Sequence, residues 1–69
     1  MSEAKLANRM KQLRSDQGMT QADLAQVVSV SRKTINTVEN GVFTPSALLA
    51  LKIAEALNKP VEEVFWIER

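Results

Sequence analysis

The segment from Gln21 to Asn40 constrains the fold of this chain more than any other stretch of its sequence. Within it, Leu24 and Val28 lie one helical turn apart, as do Ile35 and Val38. A break separates the two apolar pairs. The pattern therefore predicts two short helices that pack against one core at a steep angle.

The second of these helices, which opens at Ser31, has two faces of opposite chemistry. At about 100° per residue, its polar residues fall on the side away from the apolar pair: Arg32, Lys33, Asn36 and Thr37. A short helix that is held to a core by its apolar side, with basic and amide side chains outward, is suited to the major groove of DNA.

Composition excludes several other classes of protein. The 69 residues make one small domain, and a chain of this size buries only about 60% of its unfolded surface. The chain has no cysteine and no histidine, which excludes thiol chemistry and removes the commonest general base and metal ligand. We therefore expect no metal, no cofactor and no enzymatic activity.

No part of the sequence suggests a membrane partner. No apolar run approaches the roughly 18 residues of a spanning helix, and residues 1–10 are too polar for a signal peptide. A soluble, cytoplasmic protein is expected.

The net charge of +1 does not by itself indicate nucleic acid, but the charge is unevenly distributed. Through Thr44 the chain has six basic and four acidic residues, and from Pro45 onward it has three basic and four acidic. This asymmetry has the sign expected for a first half that faces DNA and a second half with another use.

Capping residues and helix breakers divide the chain into five predicted helices. Gly18 is a favourable C-terminal stop for the first, and Thr20 with Asp23 is close to a capping box at the start of the second. The predicted helices are Arg9 to about Gln17, Gln21 to Val28, Ser31 to Asn40-Gly41, Thr44-Pro45-Ser46 to Leu57 or Asn58, and Pro60 to Val64. The fold is thus predicted to be all-α, with a helix-turn-helix at about residues 21–40.

The two ends of the chain allow two interpretations. Residues 64–67 are bulky and β-prone, so an extended Lys5 to Asn8 could pair with Trp66 to Glu68 in a small antiparallel β-ribbon. Alternatively, the first helix begins near Glu3 and the tail continues the fifth helix. The bulky tail favours the ribbon.

The sequence resembles the Cro/C1-type, or Xre, helix-turn-helix family of transcriptional regulators from about Arg9 to Phe65. The resemblance is carried by TQADLAQVVSVSRKTINTVENG from Thr20, TPSALLALKIAEALN from Thr44 and PVEEVF from Pro60. In length and in its aromatic tail the chain is most similar to small stand-alone dimeric regulators such as the cytolysin-operon repressor. The resemblance implies a single five-helix, lambda-repressor-like DNA-binding domain over residues 1–69.

The resemblance also implies roles for individual side chains at the DNA. Positions that read base edges match Arg32, Lys33 and Thr37, with Asn36 between them. Positions that contact phosphates match Ser31, Thr34 and Asn40.

Three further residues take implied supporting roles. Gln21 would bind a phosphate or support the recognition helix, which is the second helix of the pair. Arg14 and Glu39 match a partly buried ion pair that joins the first helix to the recognition helix.

Three positions depart from the family pattern. Ser29 occupies a turn position that is often glycine, so either it adopts a positive φ or the turn differs. Val42 replaces a common lysine or arginine, which removes one expected phosphate contact. Thr44 replaces a frequent asparagine that can touch the DNA backbone.

The fourth helix has more apolar residues than one face can hold. A core stripe is expected from Ala47, Ala50, Leu51, Ala54 and Leu57. Leu48, Leu49 and Ile53 would then lie elsewhere, either as scattered surface residues or as a cluster. In so small a domain a cluster favours a dimer interface, joined by Phe65 and Trp66.

Together these features predict a sequence-specific regulator that binds double-stranded DNA, as a homodimeric repressor at an inverted-repeat operator. The alternative is a protein-interaction module, the antitoxin of a toxin–antitoxin pair, whose DNA binding would be autoregulatory. No small-molecule ligand is indicated.

Overall fold

The computed structural model describes residues 4–69, which form five helices and two strands. Their bounds are β1 Lys5–Asn8, α1 Met10–Asp16, α2 Gln21–Val28, α3 Arg32–Glu39, α4 Ala47–Ala56, α5 Val61–Val64 and β2 Phe65–Glu68. Among the described residues, no helix is long and apolar enough to cross a bilayer. The predicted five-helix architecture is confirmed, with the helix-turn-helix formed by α2 and α3.

Side-chain caps define where the central helices begin. The Thr20 hydroxyl accepts a hydrogen bond from the backbone N–H of Asp23 at 3.0 Å, and the Asp23 carboxylate accepts one from the Thr20 N–H at 2.9 Å. The hydrogen bond from the Thr20 backbone N–H, with a smaller contribution from the Thr20 side chain, stabilises the ionised carboxylate and lowers the pKa of Asp23. Ser31 and Ser46 cap α3 and α4 in the same way, whereas Pro60 precedes α5 instead of being its first residue.

The turn between α2 and α3 is built without glycine. Ser29 adopts a left-handed conformation with φ of 62°, and the N–H of Val30 then donates to the carbonyl of Ala25 at 3.0 Å. Of the two alternatives for this position, the structure has the positive φ. Such a conformation is uncommon for a residue with a Cβ, and here the backbone bonds that end α2 hold it in place.

The two ends of the described chain form the predicted β-ribbon. Strands β1 and β2 pair antiparallel, with Lys5 opposite Glu68 and Asn8 opposite Phe65. The alternative of a long first helix is excluded for the described residues, although Glu3 itself lies outside them. The backbone N–H of Arg9 also donates to the carbonyl of Val64 at 3.0 Å, which ties the start of α1 to the end of α5.

The core is apolar and draws on every helix. Its buried members are Met10, Leu13, Leu24, Ala25, Val28, Ile35, Val38, Ile53, Ala54, Leu57, Val64 and Phe65. The predicted apolar pairs on α2 and α3 all belong to it. Ala25 is buried where α2 and α3 pack, a position that favours a small side chain.

The predicted rotation of α4 is wrong by about one residue. Ile53 is fully buried at 0% exposure, whereas Leu51, which was expected in the core, is 56% exposed. Ala54 and Leu57 lie in the core as expected, and Ala50 packs against it, while Ala47 is exposed. Since nearly every position from 47 to 57 is apolar, the spacing alone could not select the buried face.

Candidate nucleic-acid interface

Helix α3 presents a polar face to solvent because its apolar face is held in the core. Ile35 and Val38 are buried. On the outer side Arg32, Lys33 and Asn36 are exposed, and no Asp or Glu lies in the first turn of the helix. The outer face of α3 therefore carries two cations and one amide near its beginning, in a position to meet an anionic surface.

The N-terminus of α3 is ordered by Ser31. Its hydroxyl accepts from the backbone N–H of Thr34 at 3.1 Å and lies 2.9 Å from the Thr34 hydroxyl. Thr37 is half-buried, and its hydroxyl donates to the carbonyl of Thr34 at 3.0 Å. Of the predicted DNA-contacting residues, Ser31 is exposed, whereas Thr34 and Thr37 are each half-buried with their hydroxyls already in local hydrogen bonds.

The expected ion pair between Arg14 and Glu39 is present and has two hydrogen bonds. Arg14 Nε donates to Glu39 Oε2 at 2.8 Å and Arg14 Nη2 donates to Glu39 Oε1 at 3.1 Å. The two side chains are only 12% and 5% exposed. The hydrogen bond to Glu39 raises the pKa of Arg14, and a third bond from Arg14 Nη1 reaches the carbonyl of Met19 at 2.9 Å. This pair fixes the C-terminal end of α3 to α1.

Gln21, at the start of α2, is connected to the recognition helix. Its side-chain Nε2 donates to Glu39 Oε1 at 3.1 Å, and its Oε1 accepts from Asn36 Nδ2 at 3.5 Å. Of the two predicted roles, these contacts favour support of the recognition helix. Asn36 also accepts from Asn40 Nδ2 at 3.2 Å, so the predicted amide residues of the site lie next to one another.

Asn8 supports the site from the β-ribbon, a role that the sequence did not indicate. Its side-chain Nδ2 donates to the carbonyl of Val38 at 3.2 Å, with a longer contact of 3.4 Å to that of Glu39, and its Oδ1 accepts from the N–H of Met10 at 3.0 Å. Both carbonyls belong to the last turn of α3, and that of Val38 also accepts from the N–H of Gly41 at 3.1 Å, so Asn8 adds a further hydrogen bond at this end of the helix. The two contacts of Nδ2 join Asn8 to residues that lie 30 and 31 positions further along the chain, so no local sequence pattern indicates them.

The residues predicted for a dimer interface are divided between surface and core. Leu48 is 64% exposed and Leu49 is half-buried against the core. Ile53 and Phe65, at 0% and 7% exposure, fill the core of the protomer, so the expectation that they face outward is corrected. Trp66 is half-buried, and the Arg9 guanidinium lies 4.8 Å from the centre of its ring.

The two departures that follow α3 are both at the surface. Val42 is 78% exposed and Thr44 is exposed. The backbone of this loop is ordered by the carbonyl of Thr37, which accepts from the N–H of Val42 at 2.9 Å and from that of Phe43 at 3.2 Å. The loop therefore approaches the end of α3 with an apolar side chain where a cation was expected.

Fold and site together define a DNA-binding helix-turn-helix domain, and comparison with known proteins gives its family. The helix-turn-helix family model matches residues 10–64. A curated relative, the uncharacterized HTH-type transcriptional regulator YgzD of Bacillus subtilis, is 43% identical over 63 residues, which cover 91% of this chain and 96% of that protein. This chain belongs to the Cro/C1-type, or Xre, helix-turn-helix family.

Solved structures agree with this assignment. The restriction-modification controller protein C.AhdI of Aeromonas hydrophila superposes with a TM-score of 0.75 at 31% identity, over 78% of this chain and 82% of that one. The transcriptional regulator VanUg gives a TM-score of 0.80 over 99% of this chain and 91% of that one, and at 20% identity it shows the fold alone. The chain is therefore a DNA-binding transcriptional regulator and not an enzyme.

Proposed function

We propose that this protein is a homodimeric repressor that reads a specific operator by placing α3 in the major groove. The observation that carries the proposal is the outer face of α3, where Arg32, Lys33 and Asn36 are exposed while Ile35 and Val38 hold the opposite face in the core. A helix that is fixed in this way can enter a groove without losing its own packing.

The side chains on this face suit different parts of the DNA. Arg32 and Lys33 can meet guanine O6 and N7, and Asn36 can meet adenine N6 and N7. Thr37 lies one residue further along the same helix. Phosphates suit the beginning of α3, where Ser31 and Thr34 lie at the positive end of the helix dipole, and the exposed Asn40 beyond its end. Gln21 supports the helix and completes the proposed set.

The proposed dimer uses the outer face of α4. Leu48 and Leu51 are 64% and 56% exposed on this helix, next to the half-buried Leu49, and Trp66 on β2 is the other half-buried candidate. Exposed leucines one turn apart give a second copy an apolar surface to cover. A dimer that reads two half-sites must hold its two α3 helices about 34 Å apart, and the two-fold symmetry of such a dimer would make the operator an inverted repeat.

Repression would follow from occupation of the operator, which excludes the polymerase. Phosphate contacts would supply much of the affinity and make it fall steeply with salt, while base contacts would select the site. Because the proposed activity requires access to the chromosome, we assign it to the cytoplasm.

Selection of bound duplexes from a random library, followed by sequencing, tests this proposal. We expect an enriched inverted repeat with half-sites about one helical turn apart. A library that stays random after selection at low salt would contradict sequence-specific binding. Enrichment of a single half-site would contradict the dimer but leave the groove assignment intact.

The dimer has its own test in Leu48→Glu. This change places a charge on the exposed α4 face without altering the core, so sedimentation should shift from dimer to monomer. Val27→Glu is the matched control, since Val27 is 62% exposed on α2 and should leave the sedimentation unchanged. A dimer that survives Leu48→Glu would place the interface elsewhere. A second polypeptide that copurifies in equal amount would instead favour the antitoxin function.

A further inference from the structure

A chain of hydrogen bonds runs from the Arg14–Glu39 ion pair to the exposed face of α3. Glu39 Oε1 accepts from Gln21 Nε2 at 3.1 Å, and Gln21 Oε1 accepts from Asn36 Nδ2 at 3.5 Å. Asn36 Oδ1 in turn accepts from Asn40 Nδ2 at 3.2 Å. The amide side chains of Gln21, Asn36 and Asn40 are thus linked in series to one carboxylate that is almost fully buried.

The carboxylate sets the direction of every bond in this chain. An ionised carboxylate has no donor, so Gln21 must turn its NH₂ group toward Glu39 and its carbonyl oxygen toward Asn36. That oxygen can only accept, so Asn36 must turn its own NH₂ group toward Gln21. Because Arg14 donates two hydrogen bonds to Glu39, the carboxylate is held in one orientation.

The consequence appears at Asn36, the exposed amide. Its NH₂ group has two N–H donors and its oxygen has two lone pairs, and the chain uses one of each. One donor and one acceptor remain, which is the pair that adenine N7 and N6 require in the major groove. The 3.5 Å contact to Gln21 is the longest of the three amide contacts and lies at the outer limit of a hydrogen bond, so the Asn36 amide can shift as a base approaches while its NH₂ group still faces Gln21 Oε1.

We propose that Gln21 is a positioning residue that determines the base preference at the operator position read by Asn36. Gln21 does this without contacting that base. Because Glu39 accepts from the Gln21 NH₂ group, the Gln21 oxygen faces Asn36 and fixes the orientation of the Asn36 amide. The inference rests on the proposed DNA reading by α3. In the absence of Gln21 the Asn36 amide can rotate by 180° and offer its donor and acceptor in either order. The preference for adenine over other bases at that position is then reduced.

Gln21→Met tests the inference in the 69-residue protein. Methionine keeps the length of the side chain and leaves the ion pair of Arg14 with Glu39 in place, but it removes both hydrogen bonds of the amide. Binding of wild type and variant is measured against the selected operator and against operators that carry each other base at the adenine position. Gln26→Met is the matched control, because Gln26 is an exposed glutamine on the same helix.

We expect Gln21→Met to reduce discrimination at that one position by roughly fivefold or more, within the range of a lost base contact. Discrimination at the other positions should be unchanged, as it should be everywhere in Gln26→Met. In an Asn36→Ala background, Gln21→Met should have no further effect on the adenine position, because there is no amide left to orient.

Other outcomes would overturn the inference in distinct ways. Equal weakening on all operators, with a lower salt dependence, would make Gln21 a phosphate ligand. A lower Tm with unchanged discrimination would make it a structural support alone, and Gln21→Ala would confirm that result with a smaller side chain. Failure of the wild-type protein to select any operator would refute the proposed function itself, which is distinguishable from loss of preference at one position.

Discussion

Helices α3 and α4 bury their inner faces in the same core, yet their outer faces have opposite chemistry. The outer face of α3 carries Arg32, Lys33 and Asn36, and its amide lies in a network that ends at Glu39. The outer face of α4 carries Leu48 and Leu51. The outer face of α3 therefore offers charge and directed hydrogen bonds, while that of α4 offers exposed leucines beside two charged side chains, Lys52 and Glu55.

The difference indicates how a chain of 69 residues can have two recognition surfaces. DNA recognition needs side chains held in known orientations, because hydrogen bonds to base edges depend on direction. Association with a second copy needs apolar surface, which is non-directional and tolerates adjustment. The structure supplies a hydrogen-bonded amide at Asn36 on α3 and exposed leucines on α4.

The largest expected effect is a loss of stability that distinguishes the buried face of α4 from its exposed face. Ile53→Ala removes a fully buried side chain and should lower the free energy of unfolding by about 4 kcal/mol. Leu51→Ala, on the exposed face, should change it far less when measured on the monomer. Urea unfolding of both variants checks this, and equal losses would contradict the assigned rotation of α4.

The next effect concerns the support beneath α3. Arg14→Met leaves the nearly buried Glu39 carboxylate without its cation, which should cost about 3 kcal/mol. Thermal unfolding measures the loss. Arg14→Met combined with Glu39→Met is the control, because it removes the unpaired charge and should recover part of the stability. An unchanged Tm in the single variant would refute the importance of the pair.

A smaller effect is expected at the outer face of α3. Arg32→Ala should relax base preference at one operator position by roughly 1–3 kcal/mol while leaving the fold intact. Lys11→Ala, a basic residue exposed on α1, is the control and should alter no base preference. Competition binding with single-base operator variants provides the measurement. Unchanged selectivity in Arg32→Ala would remove this residue from the base-reading set.

The smallest effect is a pH dependence at the start of α2. The pKa of Asp23 is lowered in the folded state by its hydrogen bonds to Thr20. The ionised Asp23 carboxylate therefore contributes its full stabilisation at pH values above its unfolded pKa of about 3.9. This stabilisation is lost as the pH falls through the lower pKa of the folded state. Asp23→Asn should be less stable than wild type near neutral pH, and the two Tm values should converge in acid. A constant difference at all pH values would contradict this cause.

The sequence predicted those parts of the fold that depend on local signals. The capping box of Thr20 with Asp23 and the cap at Ser31 were confirmed because each acts within one helical turn. The Arg14–Glu39 pair was also confirmed, but it came from resemblance to a family, since local rules do not connect residues 25 positions apart.

The sequence-based predictions were wrong where more than one arrangement fitted the local pattern of apolar residues. In α4, with ALLALKIAEA as its sequence, several rotations bury an apolar stripe, and only packing against α2 and α5 selects the one that buries Ile53. Phe65 was read as a surface aromatic, although β2 begins there and turns its side chain into the core. The positioning of Asn36 by Gln21 could not be predicted, because it depends on the distance between two helices.

The proposed function requires α3 to lie in the major groove, and methylation interference on the selected operator tests this most directly. Dimethyl sulfate methylates guanine N7 in the major groove and adenine N3 in the minor groove. We expect loss of binding from N7 methylation in two clusters about one helical turn apart. Interference from adenine N3 alone, or from neither position, would contradict it.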